Sequence, residues 1–313
     1  MATEPILAAL DVEIDAHTVD RRRPGHSSVL ADFWALSKPE INLLIAIAAG
    51  TGFCLGGLTA VEHFPWILFS HTLLGTVLVA SGASVLNQLI ERKFDAQMRR
   101  TARRPIPAGR VEPINALIFG VLLSVAGALD LALAVRPAAS LLALLTLFVY
   151  LFLYTPLKRR THLCTLVGAF PGAAPALIGY VAAVGNLSRQ AWLLYAVVFL
   201  WQFPHFMAIA WMYREDYARA GYQILPSGRH KVRFMAWQTV LPALALLSVT
   251  FVPMVVNHAN PVFVAGIFLL SLYFLYCAAR LALTSTSEAA RRLLLVSVFY
   301  LPLVFVLQIC AGV

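Results

Sequence analysis

The sequence predicts an all-α integral membrane protein built as a bundle of nine transmembrane helices. Three features lead there: an apolar composition, nine continuous apolar runs, and cations placed on one side. Of 313 residues, 60% are hydrophobic and 12% charged, with a mean hydropathy of +0.78. Soluble domains carry about a quarter charged residues, so a soluble globular class is excluded.

The first 37 residues are polar, carry acids and are interrupted by "RRRPGH". They lack an apolar stretch followed by a cleavage site, so a disordered cytosolic tail is expected rather than a signal peptide. Residues 38–313 then form the membrane domain. Its apolar runs cover 40–61, 65–90, 113–135, 138–157, 163–184, 191–213, 235–256, 261–282 and 292–312, each long enough for a hydrocarbon core of about 30 Å. Membrane strands alternate over roughly ten residues, which these continuous runs do not.

With a cytosolic N-terminus, 22 of the 24 Lys and Arg fall on the cytosolic side, leaving Arg136 and Arg189 outside. That asymmetry sets the orientation and makes the net charge of +9 a topology signal, with no nucleic-acid partner. Cys54, Cys164, Cys277 and Cys310 have no CxxC spacing and read as packing residues.

The chemistry gathers at the cytosolic ends of two helices. In "NQLIERKFDAQMRRTARRPIPAGRV", Asn87, Glu91 and Asp95 are spaced i, i+4, i+8. On a helix they share one face over about 12 Å. That length suits two Mg²⁺ ions bridged by a diphosphate, or a helix that ends near residue 91. The plainer alternative is a polar collar with intrahelical pairs such as Glu91 with Arg92 and Asp95 with Arg99. A second cluster, "MYREDYARAGYQILP", ends helix 6 and supplies Asp216. If the two helix ends face one another, Glu91 or Asp95 and Asp216 hold Mg²⁺, whose ligands are oxygens. Arg100, Arg104, Lys158, Arg159, Arg160 and Lys231 then stand ready for a diphosphate, whose neutralisation makes it a leaving group.

The run Asn-x3-acid-x3-Asp followed by "MRRTARRPIPAGRV", then "YTPLKRRT", then "FPHFMAIAWMYREDYARAG", resembles the UbiA superfamily of intramembrane prenyltransferases, and within it the heme-directed branch. The resemblance spans residues ~35–310. It implies a nine-helix bundle of the UbiA prenyltransferase type, Mg²⁺, farnesyl diphosphate and heme b as substrates, and heme O as product. It also implies a bacterial inner membrane, with the product passing to a heme A synthase or to terminal oxidase assembly factors. Asn87, Glu91, Asp95 and Asp216 become the catalytic and metal-holding set, and Tyr154, His205 and Tyr217 join the cations as substrate contacts. This chain departs from the pattern at Glu91, where many members carry Asp, at Lys93, where a third acid is often found, and at Ala220, where quinone-type branches have a second acid. The shortened "DYxxAG" form favours the heme branch.

The implied reaction needs no protein nucleophile. It needs a dry, cation-tolerant wall, for which Tyr150, Tyr154, Phe203 and Phe206 are candidates. His205 is an ionisable group inside a membrane helix, a functional candidate by default, and is expected to contact heme or ligate its iron. His71 and Asp130 read as structural hydrogen-bonding groups. A quinone- or chlorophyll-pathway prenyltransferase and a non-catalytic heme carrier are the alternatives. A carrier would place its ionisable residues at the bilayer midplane beside broken helices, whereas these acids cluster at one face.

Overall fold

The computed structural model describes residues 28–57, 64–226 and 230–311, and of residues 230, 231 and 256 the backbone alone. Most of the expected N-terminal tail therefore lies outside the described residues. Its last part is ordered: α1 (Val29–Ser37) starts where the Ser28 side chain accepts from the Ala31 N–H. Leu36 is fully buried with Val85, Ile106 and Val111, and Asp32 accepts from Arg110 Nε at 2.9 Å. Residues 28–37, expected as part of the tail, instead include a helix, because α1 has both an N-cap and an apolar face to bury.

Nine helices among the described residues are long and apolar enough to span a membrane: α2 (Pro39–Gly57), α3 (Trp66–Asp95), α4 (Pro113–Val135), α5 (Pro137–Leu157), α6 (Cys164–Val184), α7 (Arg189–Met212), α9 (Val232–Val255), α10 (Pro261–Thr284) and α11 (Ser287–Ala311). A short helix, α8 (Arg214–Arg219), follows α7. The described residues contain no strand. The expected runs match these spans closely, with one difference that matters. α3 continues to Asp95, so the alternative in which it ends near residue 91 does not hold. Polar residues extend the helix because Asn87, Glu91 and Asp95 are buried on one face, while Lys93 is exposed.

Of the nine, α2, α6 and α7 are the most buried. α6 and α7 bury 72% and 67% of their spanning residues, against 28% for α4, α5, α9 and α10. Outer faces carry exposed Ile67, Leu133, Leu141 and Leu269, the surface a lipid-embedded bundle requires. With no hydrophobic drive between helices in lipid, close backbone approach supplies the packing. A Cβ on Gly52 would run into the Ala176 carbonyl, and one on Gly179 into the Ala49 carbonyl. Gly179→Leu is therefore expected to cost about 1–3 kcal/mol or more by overpacking, read as a lowered melting temperature of the purified protein; an unchanged melt would mean α2 and α6 can separate freely.

His71 and Asp130, expected as structural hydrogen-bonding groups, bond to each other, with Nδ1 and Oδ1 2.7 Å apart. α5 ends in a π-helical stretch, Val149–Tyr154, of the kind frequent at functional sites. It carries Tyr150 and Tyr154, stacked with centroids 5.4 Å apart.

Candidate active site

The C-terminal end of α3 presents its carboxylates to cations on other elements, with Asn87 of its own helix as a neutral partner of Glu91. Lys158, the first residue beyond α5, is fully buried and donates to both Glu91 oxygens at 2.9 and 3.0 Å. Asn87 donates to Glu91 at 3.0 Å and to Thr155 at 3.0 Å. Asp95 accepts from Arg104 Nη1 at 3.0 Å. The collar with intrahelical pairs is not what forms: Arg92 instead donates to the Leu89 carbonyl. Burial alone would pull the Lys158 ammonium down, but the Glu91 carboxylate bonded to it outweighs this and its pKa lies above the ordinary value. The lysine therefore stays charged at neutral pH.

The second cluster meets the loop that follows the first. Residues 96–112 fold back so that the Arg100 backbone N–H donates to Asp216 at 3.2 Å, and Asp216 also pairs with Arg219 at 3.2 Å. Met98 is buried with Tyr217, Ala220 and Tyr222, which locks the loop after α3 onto α8. The loop after α5 joins them through Gln223 N–H to the Lys158 carbonyl at 2.7 Å. Burial, and then the Glu91 and Asp95 carboxylates, push the Tyr222 hydroxyl pKa far up, so it stays neutral.

The remaining predicted residues divide. Arg104 is buried, and the Arg100 guanidinium lies 5.0 Å from the Tyr213 ring centroid. Lys158 sits 4.6 Å from the Tyr154 ring centroid. Arg159 and Arg160 are exposed, Arg159 resting 4.2 Å over Phe94. Tyr217 is buried in the loop packing. Lys231 lies outside the residues whose side chains are described.

Lys38 was not among the predicted site residues. It follows α1 in a left-handed conformation, φ 53°, is 8% exposed and lines the mouth of the cavity. Burial, and then the neighbouring Arg104 guanidinium, push its ammonium down to about 7 against the opposing pull of Asp95 and Glu91. The left-handed turn is the C-cap of α1, its N–H bonded to the Ala35 carbonyl, and it sets the ammonium among the charged groups of the site.

From this mouth a cavity of about 220 Å³ runs into the membrane domain, past Tyr150, Tyr154 and Gly172 to Gln202 and His205. His205 is 1% exposed, on a helix that continues unbroken through Pro204. Among the described residues no three His, Cys, Asp or Glu stand together as a metal cage. The donors at hand are oxygens, and each carboxylate is neutralised by a cation. That set fits Mg²⁺, which takes one or two carboxylates and completes its shell with phosphate and water.

Comparison with known proteins agrees with this architecture. Residues 38–302 match the UbiA prenyltransferase family. The chain is 46% identical over 286 residues to the protoheme IX farnesyltransferase of Solibacter usitatus, covering 90% of this chain and 98% of that one. It is 40% identical to the protein of the same name from Salinibacter ruber, covering 88% and 96%. Its fold superposes on a structure described for digeranylgeranylglyceryl phosphate synthase with a TM-score of 0.70 at 16% identity, covering 90% of this chain and 98% of that one. A UbiA homolog from Archaeoglobus fulgidus bound to GPP and Mg²⁺ gives 0.61 at 13% identity, covering 88% and 99%. With the family match running from Lys38 at the cavity mouth to Pro302 within α11, the chain belongs to the UbiA prenyltransferase family.

Proposed function

We propose that this protein transfers the farnesyl group of farnesyl diphosphate to a vinyl group of heme b, with water addition, releasing diphosphate and heme O at the cytosolic face of a bacterial inner membrane. The observation that carries this is an apolar cavity lined at one end by Lys38, itself beside Arg104, Asp95, Lys158 and Glu91, and containing one histidine in its interior, in a chain 46% identical along most of its length to a protein named for that reaction.

Asp95 and Asp216, with Glu91 and Asn87 beside them, are the residues that would hold Mg²⁺. When bound, the ion neutralises the diphosphate oxygens and makes the group able to leave. Lys38, Arg100, Arg104 and Lys158 stabilise the charge that grows on the diphosphate as its C–O bond to the prenyl chain breaks. Tyr150 and Tyr154 present ring faces to the allylic cation left behind, and the apolar lining keeps water from it until the vinyl carbon has attacked. The second vinyl carbon is then electron-deficient; water adds there and gives up a proton.

Mass analysis of hemes extracted from cells expressing the chain tests the proposal. Heme with an added hydroxyethylfarnesyl group is expected. Unmodified heme together with a prenylated quinone or chlorophyll precursor would overturn it.

Lys38 gives the site a pH dependence. Its free-state pKa of about 7 rises when an anion binds, since the anion favours the charged form. Binding therefore takes up a proton above pH 7, and diphosphate affinity falls as pH rises from 7, by up to about tenfold per pH unit. Calorimetry of inorganic diphosphate with Mg²⁺, in buffers of different ionisation heat, should show more proton uptake in the wild type than in Lys38→Met, the protons that diphosphate itself exchanges being common to both. Equal uptake in both would assign the proton to another group.

A further inference from the structure

His205 has two ring nitrogens with different surroundings. Nδ1 lies 2.7 Å from Ser297 Oγ on α11. The Ser297 hydroxyl has a single proton, and Oγ lies 2.6 Å from the Leu294 carbonyl, which can only accept. The proton between His205 and Ser297 must therefore come from Nδ1, and Nε2 carries the lone pair. Nε2 is buried and has no hydrogen-bond partner among the described residues, and His205 lines the cavity. Trp201 holds the ring from one side, stacked at 4.8 Å between centroids, and is itself tied to α11 by its Nε1–H bond to the Ser297 carbonyl at 2.8 Å.

We propose that Ser297 is a positioning residue that locks His205 as the Nδ1–H tautomer, so that Nε2 is the axial ligand for the iron of a tetrapyrrole in the cavity. An imidazole serving only to join two helices gains nothing from leaving its second nitrogen unpaired in a buried apolar space, where an unsatisfied polar atom is costly. The described cavity lining includes no Cys, no Met and no second His; beside His205 only Tyr150 and Tyr154 are of a kind that heme iron takes, and those two stack on each other. A second group that orients a ligating His and fixes its tautomer is the usual companion of such a site. The inference rests on the reading above that an iron tetrapyrrole is the acceptor, and it adds how the acceptor is held.

The full-length protein in detergent should be titrated with ferric protoporphyrin IX and, separately, with metal-free protoporphyrin IX. The variants are His205→Ala, Ser297→Ala and Ser297→Thr. The wild type is expected to bind the iron form at least about tenfold more tightly than the metal-free form, with the Soret and ligand-field bands of a histidine complex. His205→Ala removes that difference. Ser297→Ala weakens binding of the iron form by about tenfold and leaves the metal-free form unchanged, and Ser297→Thr restores it by returning the hydroxyl. In protein labelled with ¹⁵N-histidine, the His205 shifts should report Nδ1–H in the wild type and a mixture of tautomers in Ser297→Ala, a change that loss of packing alone would not produce. Equal affinity of the wild type for the two porphyrins overturns the ligand role and leaves the acceptor reading standing. Equal weakening of both by Ser297→Ala reduces that serine to a packing residue and overturns the lock. Binding of neither porphyrin by the wild type overturns the acceptor reading and the inference with it.

Discussion

Asp95→Asn and Asp216→Asn are each expected to lower prenyl transfer by at least about 10²–10³-fold, the loss typical when one preorganised charge-stabilising group is removed. Asparagine keeps the shape of each side chain and its ability to accept one bond. Asp95→Asn can still meet Arg104, which the native carboxylate holds at 3.0 Å, and Asp216→Asn can still receive the Arg100 N–H at 3.2 Å. What disappears is the negative charge, and with it the affinity for a hard divalent cation that binds through carboxylate and phosphate oxygens together. The defect should therefore be in kcat at saturating Mg²⁺ and farnesyl diphosphate, with a melting temperature close to that of the wild type. Turnover at the wild-type rate in either purified variant would remove that residue from the metal site. A large fall in melting temperature would instead point to Arg104 or Arg219 stranded without its counter-ion.

The nine spans were legible because continuous apolar runs report on length, which lipid imposes directly. The clustering of acids at the end of α3 and in α8, directly after α7, was legible for the same reason: charges inside such a chain are expensive and stand out. Which charge meets which was not. Glu91 finds Lys158, 67 positions away, and Asp95 finds Arg104 only because residues 96–104 turn back under α3. Of the three consecutive cations after α5, Lys158 is buried while Arg159 and Arg160 are exposed, a difference set by tertiary packing. Lys38 counted only as a cation on the cytosolic side, since the left-handed turn beside the cavity mouth has no sequence signature beyond a lysine before a proline. His205 stood out as an ionisable group in lipid, yet the Ser297 contact that decides its tautomer lies 92 positions on.

Lys158→Met is expected to destabilise the protein by about 3–5 kcal/mol, the cost of breaking a buried ion pair and leaving one charge without its partner. Lys158 is 0% exposed and Glu91 3%, so neither finds water when the other is lost, and the Asn87 amide that also bonds Glu91 is neutral. Glu91→Gln should cost a similar amount, because it leaves the ammonium against the Tyr154 ring without a carboxylate. The double variant Glu91→Gln/Lys158→Met should recover most of the loss, since removing both charges also removes the desolvation that each imposes. Denaturant unfolding of the four proteins in one detergent measures the coupling as a double-mutant cycle. If the double variant is no more stable than the worse single one, the pair does not act as a unit. Recovered stability without recovered prenyl transfer would locate the purpose of the pair in the chemistry. A bundle of apolar helices could close this space with methionine and glutamine, so stability alone does not require the charged pair.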